Sequence, residues 1–428
     1  MAAALRSLRL PGFPNLALAY FVNELGNWLG EIALAVLVYD ATGSPLATAG
    51  LFCAMHFAPA FLSPPLVARV DRIPARVILP ALYATEAAVF AVLALLADNF
   101  SFAAVMALAV VDGSLAAASR AVTRATATAV LAPANALREG NAVLNVAFTV
   151  GSAGGPALGG LIVATAGPAT ALAADAVSFL IVAVMLLVAR HLPRPERDDE
   201  ESGWRERLRL GLSYVGKRPA LVRLLGAQAL AFIFFSLVIP IEVVFAKETL
   251  DAGDAGYGAL LASWGLGMVL GSAIFAAMRQ VALRTLLFAA TLAIGAAYLA
   301  TAVSPTLLLA CAASVVGGTG NGVQWIALVT AVQELTRANY QARVLSLLEA
   351  IASAMPGVGF LLGGTIATIF EPRASYAVAG AGVLIVLAIA ARVLRRVEWT
   401  PGLEQSDRRG PATSIAGPEP PGVPLTDH

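Results

Sequence analysis

Long apolar runs, each closed by a charge, a glycine or a proline, recur along the whole chain. They fall at 16–38, 46–68, 77–97, 102–122, 142–166, 168–190, 221–246, 255–278, 284–304, 306–331, 342–370 and 374–395. A stretch of ~20 apolar residues rising ~1.5 Å each crosses the hydrocarbon of a bilayer. The pattern therefore predicts an all-α membrane protein with twelve transmembrane helices. Between the sixth and seventh runs the chain turns polar and dense in both charges. There Trp204, Leu208, Leu212 and Val215 are spaced to share one side of a helix lying along the membrane surface. The predicted organisation is a six-helix bundle over 1–190, a cytoplasmic linker over 191–220, a second six-helix bundle over 221–396, and a tail over 397–428. The tail is rich in Pro, Gly, Ser and Asp, a composition that predicts disorder.

The two halves are related. Ala134, Asn135, Leu144, Gly155, Leu158, Gly159 and Gly160 recur in the same order as Ala338, Asn339, Leu348, Gly359, Leu362, Gly363 and Gly364. The fifth helix thus matches the eleventh. A six-helix unit duplicated in parallel predicts two bundles with a site between them near the midplane.

Composition narrows the class further. Of 428 residues 59% are hydrophobic and 13% charged, against about 25% charged in soluble domains. Two cysteines, Cys53 and Cys311, fall inside spans and predict neither a disulfide framework nor a metal cluster. Glycine runs at Gly265 to Gly271 and Gly317 to Gly322 follow no strand and lack the Lys-Ser/Thr ending of a phosphate loop. No catalytic triad and no nucleic-acid surface is visible, so the expectation is a non-enzyme without a cofactor. Lys and Arg collect on one side of the predicted membrane, with Lys247 and Arg373 as exceptions, while Asp40, Asp98, Asp251, Asp254 and Glu371 mark the other. Basic residues accumulate in cytoplasmic loops, which predicts a multi-pass protein of the cell membrane with both termini in the cytoplasm. The opening segment, with Arg6 and Arg9, is read as a retained cytoplasmic start.

Polar residues inside the spans supply the candidate chemistry. The first run holds Asn23, Glu24, Asn27, Trp28 and Glu31, with Glu24, Asn27 and Glu31 along one helical face. An ionisable group in hydrocarbon costs about 2.5–3.5 kcal/mol on insertion scales, so this face turns to protein or a wet cavity and marks a transport or proton path. Asp112 in the fourth helix is a third acid of this kind, with Arg120 and Arg124 near the helix's cytoplasmic end, and Asp175 reads as structural. His56 reads as an interhelical hydrogen bond. In the second half Gln228, Glu242, Asn321, Gln324, Trp325 and Glu349 interrupt apolar runs. Glu242 lies near the outer end of its helix and reads as interfacial. Asn321, Gln324 and Trp325 are expected to line a cavity with Trp28, stacking on and hydrogen-bonding a bulky substrate.

Three stretches resemble the major facilitator superfamily, and within it twelve-helix exporters related to macrolide efflux proteins and the enterobactin exporter. Val67 to Arg76, VARVDRIPAR, is similar to the family's loop between helices two and three through Asp71, Arg72 and Arg76, with Val67 and Ala75 departing from the pattern. Leu131 to Gly160, continued by Asp175, Ser178 and Phe179, is similar to a second signature, and Asp254 to Gly258 leading into Gly265, Gly267 and Gly271 to a third. The resemblance implies that Asp71, Arg72 and Arg76 form a conformational loop and that Gly151, Gly155, Pro156, Gly159 and Gly160 form the helix-five motif associated with antiport. It also implies, with Glu24 and Glu31 as carriers, a secondary active transporter: a proton-coupled exporter of hydrophobic or amphipathic small molecules, with a proton gradient in place of any cofactor. The expected partners are substrate, lipid and protons, and the expected state is a monomer. An importer or uniporter of a small metabolite, or a membrane scaffold that transports nothing, are the alternatives.

Overall fold

The computed structural model describes residues 7–70, 73–189, 204–278, 280–337 and 340–394. The predicted linker between 190 and 203, the tail, Asp71 and Arg72, and the repeat residues Ala338 and Asn339 lie outside them. Described residues form α1 (Phe13–Thr42), α2 (Pro45–Val67), α3 (Ala75–Leu96), α4 (Phe102–Leu131), α5 (137–166), α6 (168–188), α7 (Trp204–Gly216), α8 (Pro219–Thr249), α9 (Gly253–Ala277), α10 (Leu283–Ala302), α11 (Leu307–Glu334), α12 (Gln341–Ile369) and α13 (Pro372–Leu394). Eleven continuous helical stretches are long and apolar enough to cross a membrane. One of them holds two crossings, α5 and α6, because the chain reverses at Gly167 (φ 81, ψ 165), immediately before Pro168. That backbone region is essentially closed to side-chain-bearing residues. Twelve crossings result, as the hydropathy pattern predicts.

Helix lengths differ from the apolar runs where charge sits inside a helix. α4 continues to Leu131 and does not stop near 122. Arg120 and Arg124 end its apolar run but not its backbone ladder, and Thr126 and Thr128 donate to the carbonyls of Val122 and Arg124 one turn back. Two crossings carry π turns, Cys53–Phe57 in α2 and Phe245–Thr249 in α8. α8 is also broken into a 3₁₀ turn at Ile239–Ile241, where Pro240 has no N–H to donate. Such irregular turns frequently accompany functional positions.

The bundles are built on the same plan, visible in the repeated glycines. Gly159 of α5 packs on Ile32 of α1, and its neighbour Gly160 faces away to Gly258 of α9. In the second bundle Gly363 of α12 packs on the Leu237 backbone of α8, and Gly364 faces away to Ala49 and Leu46 of α2. Each pair of glycines thus joins a helix to its own bundle with one residue and to the opposite bundle with the next. In both cases the missing side chain lets two helices approach closely, the way helices associate where no hydrophobic force separates lipid from protein.

α7 docks partly through the predicted side, at Val215, and partly beside it, at Tyr214. Tyr214 and Val215 are buried, whereas Leu212 is 51% exposed. The Tyr214 ring stacks on Tyr340 with centroids 4.1 Å apart, Arg218 lies 3.5 Å over its other face, and its hydroxyl accepts the Arg337 N–H at 2.9 Å. One amphipathic tyrosine sets the rotation of the helix on α12, so an apolar stripe alone does not predict it. The side chains of Trp204 and Leu208 lie outside the described residues.

Candidate functional site

α1 lies against α5 through a ladder of small residues. A Cβ on Gly151 would lie 2.9 Å from the Glu24 Cβ, and one on Gly155 would lie 2.8 Å from the Trp28 Cβ. Gly151, Gly155 and Gly159 therefore receive Glu24, Trp28 and Ile32, four residues apart on both helices. Pro156 and Gly160 belong to the opposite face of α5, where the Pro156 carbonyl and the Gly160 backbone meet Gly258. The five residues of the helix-five motif thus divide between packing within the bundle and packing across it.

Glu24 is 5% exposed and lies within electrostatic reach of Arg120 and Arg124 of α4. Arg124 in turn donates to the Tyr20 hydroxyl at 3.3 Å. Glu31, two turns further along α1, has its Oε2 3.3 Å from Nε2 of His56, which sits in the π turn of α2. The imidazole is 43% exposed and its ring centroid lies 6.2 Å from Phe360 of α12, so the pair stands where the bundles meet. Glu242 of α8 approaches from the other bundle closely enough for its charge and that of Glu31 to interact. Its Oε2 is buried without a hydrogen-bond partner. Glu242 is half-buried, just past the break at Pro240 and near the outer end of its helix, with that one carboxyl oxygen enclosed in the protein. Asn27 is half-buried, and its Nδ2 has no partner.

In the second bundle the candidates turn elsewhere. Gln324 Nε2 donates to Thr291 Oγ1 at 3.0 Å inside that bundle, and Trp325 packs on Phe232 with centroids 6.4 Å apart. Trp28, seated on Gly155, belongs to the packing of the first bundle. The shared aromatic lining expected of Trp28, Gln324 and Trp325 is not what the described contacts form, because each side chain finds its partner within its own half. Asn321 is half-buried. An open cleft of about 800 Å³ lies where α9 ends and α10 begins, around Phe275, Arg284 and Glu334, and touches none of the predicted site residues. Asp112 is buried and its Oδ1 lacks a hydrogen-bond partner. Arg76 is exposed at the start of α3.

The bundles close on one another at the face opposite Phe13 and Arg392. Lys247 Nζ donates to Asp40 Oδ1 at 2.5 Å and to Asp254 Oδ1 at 2.8 Å, joining the ends of α1, α8 and α9. Beside it the Tyr39 hydroxyl donates to Glu248 Oε1. Below these come the Gly160–Gly258 approach, Gly364 against α2, and Cys53 Sγ donating to the Gly357 carbonyl at 3.6 Å. α1 is buried continuously from Ile32 to Tyr39 along this half. Toward the other face α12 exposes Glu349 and Ser353. In the sequence Lys247 is an exception to the charge asymmetry, and that exception is the signal: a cation among outer acids has something to bridge.

A family described as transmembrane secretion effectors, within the major facilitator superfamily, matches residues 2–413. No curated protein matches the sequence. Solved structures do match in fold. The nucleoside transporter NupG is 11% identical with a TM-score of 0.70, over 90% of this chain and 99% of that one. A bacterial homologue of the human lysosomal transporter Spinster, inward-facing and occupied, is 15% identical with a TM-score of 0.71, over 90% and 96%. A bacterial homologue of the iron transporter ferroportin, inward-facing, is 14% identical with a TM-score of 0.69, over 90% and 98%. At these identities the likeness is one of fold.

Proposed function

Because the chain belongs to the transmembrane secretion effector family of the major facilitator superfamily, a family of membrane transporters, we propose that it is a proton-coupled exporter of hydrophobic or amphipathic small molecules, working by alternating access. One observation carries the reading. Glu31 and His56 form an acid–imidazole pair at the seam of the two bundles, with Glu24 two turns away on the same helix. A carboxyl in such a place is retained at a cost in stability, and a path for a charged species is the ordinary reason for retaining it.

The positive-inside asymmetry puts the face bearing both described ends in the cytoplasm of the cell, so the face sealed by Lys247 is external. Substrate then enters from the cytoplasmic side or the inner leaflet. Rocking of the bundles breaks the Lys247 bridges and the Gly160 contact, opens the outer side and releases substrate, while protons reach Glu31 and Glu24 from outside. Asp71, Arg72 and Arg76 would act at the cytoplasmic ends during the same motion, switching partners as helix termini separate.

The test is dye and antibiotic accumulation in cells lacking other pumps, with and without a protonophore, followed by efflux into inverted vesicles by Glu24→Gln and Glu31→Gln, singly and together. Uphill transport is expected to fall at least tenfold in the double variant. Unchanged proton-driven efflux there would overturn the coupling assignment, and accumulation of the probe by cells carrying the protein would reverse the direction.

A further inference from the structure

Deeper in the first bundle, behind the Glu31–His56 pair, three more buried carboxylates lie within electrostatic reach of one another: Glu86 of α3, Asp112 of α4 and Asp175 of α6. Glu86 and Asp175 are completely buried and Asp112 is 6% exposed. Each keeps one oxygen without a hydrogen-bond partner, Oε2 of Glu86, Oδ1 of Asp112 and Oδ2 of Asp175. Ser119 Oγ donates to Glu86 Oε1 at 3.1 Å and Ser178 Oγ to Asp175 Oδ1 at 3.1 Å. The charge of Asp112 acts on both of the others.

α1 closes the cluster. Gly26 and Gly30 leave room for the Asp175 carboxylate, and a Cβ on Gly30 would lie 2.7 Å from its Oδ2. Asn23 lies one turn before Gly26 on the same helical face. It is completely buried, and neither its Oδ1 nor its Nδ2 has a partner. A fully buried amide with both ends free is rare, because an unmade hydrogen bond in a dry interior is expensive. Such an amide can bond a neighbouring carboxyl as that group gains or loses a proton. The basic groups within electrostatic reach are Arg120 of α4 and His56 of α2; Tyr83 and, through it, Glu24 complete the titratable surroundings. Among the described residues none of the three acids is in an ion pair.

Three like charges in one dry core are not tolerated together without a compensating cation. Among the described residues no three acidic, His or Cys side chains converge as metal ligands do. We propose that Glu86, Asp112 and Asp175, with Asn23, form a proton-holding site inside the first bundle, a second station for the coupling ion behind Glu31 and His56. The proposal rests on the transport reading above and assigns it residues that reading does not use. Asn23 is suited to the task because its carbonyl accepts from a protonated carboxyl and its NH₂ donates to an ionised one.

The experiment uses the full chain in proteoliposomes, with ethidium as the transported probe and Glu86→Gln and Asp175→Asn as variants. Two readouts are compared: exchange of probe at equal concentrations with no ion gradient, and uphill transport driven by an imposed pH gradient, with a sodium gradient as a separate arm. Exchange is expected to stay within about threefold of the parent, while pH-driven accumulation falls at least tenfold and the pH profile of transport flattens. A thermal melt of each variant, expected to match or exceed the parent, separates this loss from misfolding, and Asn23→Ala supplies a variant that removes no charge. Parental pH-driven accumulation in both charge variants overturns the proposal and leaves the transport reading standing. Accumulation driven by sodium and abolished by Glu86→Gln overturns the proton as occupant. A parent protein that carries ethidium neither way overturns the transport reading itself.

Discussion

The two bundles share a backbone plan and a ladder of glycines, yet their interiors differ in kind. The first holds Glu24, Glu86, Asp112 and Asp175, buried acids with unpaired oxygens on three of them. The second is rich in aromatic contacts, Trp264 stacked on Tyr298 at 5.5 Å and Phe245 tilted against Tyr376 at 4.7 Å, and it holds polar pairs such as Gln324 with Thr291. Its one acid near the interior, Glu242, sits at the seam and interacts with Glu31. Duplication supplied two copies of one scaffold. The copies then diverged, with buried acids on one side and a packed aromatic surface opposing them on the other.

That divergence makes graded predictions. The largest effect belongs to the seam, where both bundles must fit each other. Leucine at Gly160 brings a Cβ to 2.5 Å from the Gly258 Cα, backbone that has nowhere to move. Gly160→Leu is expected to lower transport at least tenfold in proteoliposomes, whereas Gly154→Leu, with open space around it, leaves transport within twofold.

An intermediate effect belongs to the ionic latch. Lys247→Met leaves Asp40 and Asp254 unbridged, and a partly exposed ion pair is worth about 0.2–1 kcal/mol. In a Cys311→Ser background, Cys53 is expected to react with a membrane-impermeant maleimide about threefold faster once Lys247 is replaced. Raising the salt should speed the parent and not the variant. Equal rates at all salt concentrations would show that the latch contributes nothing to closure.

The smallest effect contrasts the interiors directly. Gln324→Leu removes one satisfied hydrogen bond and is expected to cost about 0.6 kcal/mol, the average for interhelical bonds in membranes. Asp112→Asn, which removes an unpaired buried acid, is expected to leave stability unchanged or raise it. Thermal unfolding in one detergent reads both, and a loss of stability in both would erase the distinction.

Much of this architecture was legible in the sequence, for physical reasons that can be named. Hydropathy located all twelve crossings because lipid demands long apolar helices, and the recurrence of Gly159-Gly160 as Gly363-Gly364 announced the duplication that packing now explains. Rotation about helix axes was not legible. Trp28 and Trp325 were expected to share a cavity, but which way a side chain turns depends on the helix beside it, and no single helix encodes its neighbours. Glu86 was missed although its signal equals that of Asp112, a lone acid within an apolar span. Lys247 and His56 gained their meaning only when π turns in α8 and α2 brought them to partners on another helix.

The reversal at Gly167 leaves no slack between α5 and α6. α5 carries the glycine that touches the opposite bundle, and α6 carries Asp175, wedged against α1. A hairpin tied so short moves as a single lever. Parting the bundles at Gly160 therefore tugs on the acid that α1 encloses, and loosening that acid tugs back on the seam. Lengthening the tether by a few flexible residues at 167 is the change that would let one end swing without the other.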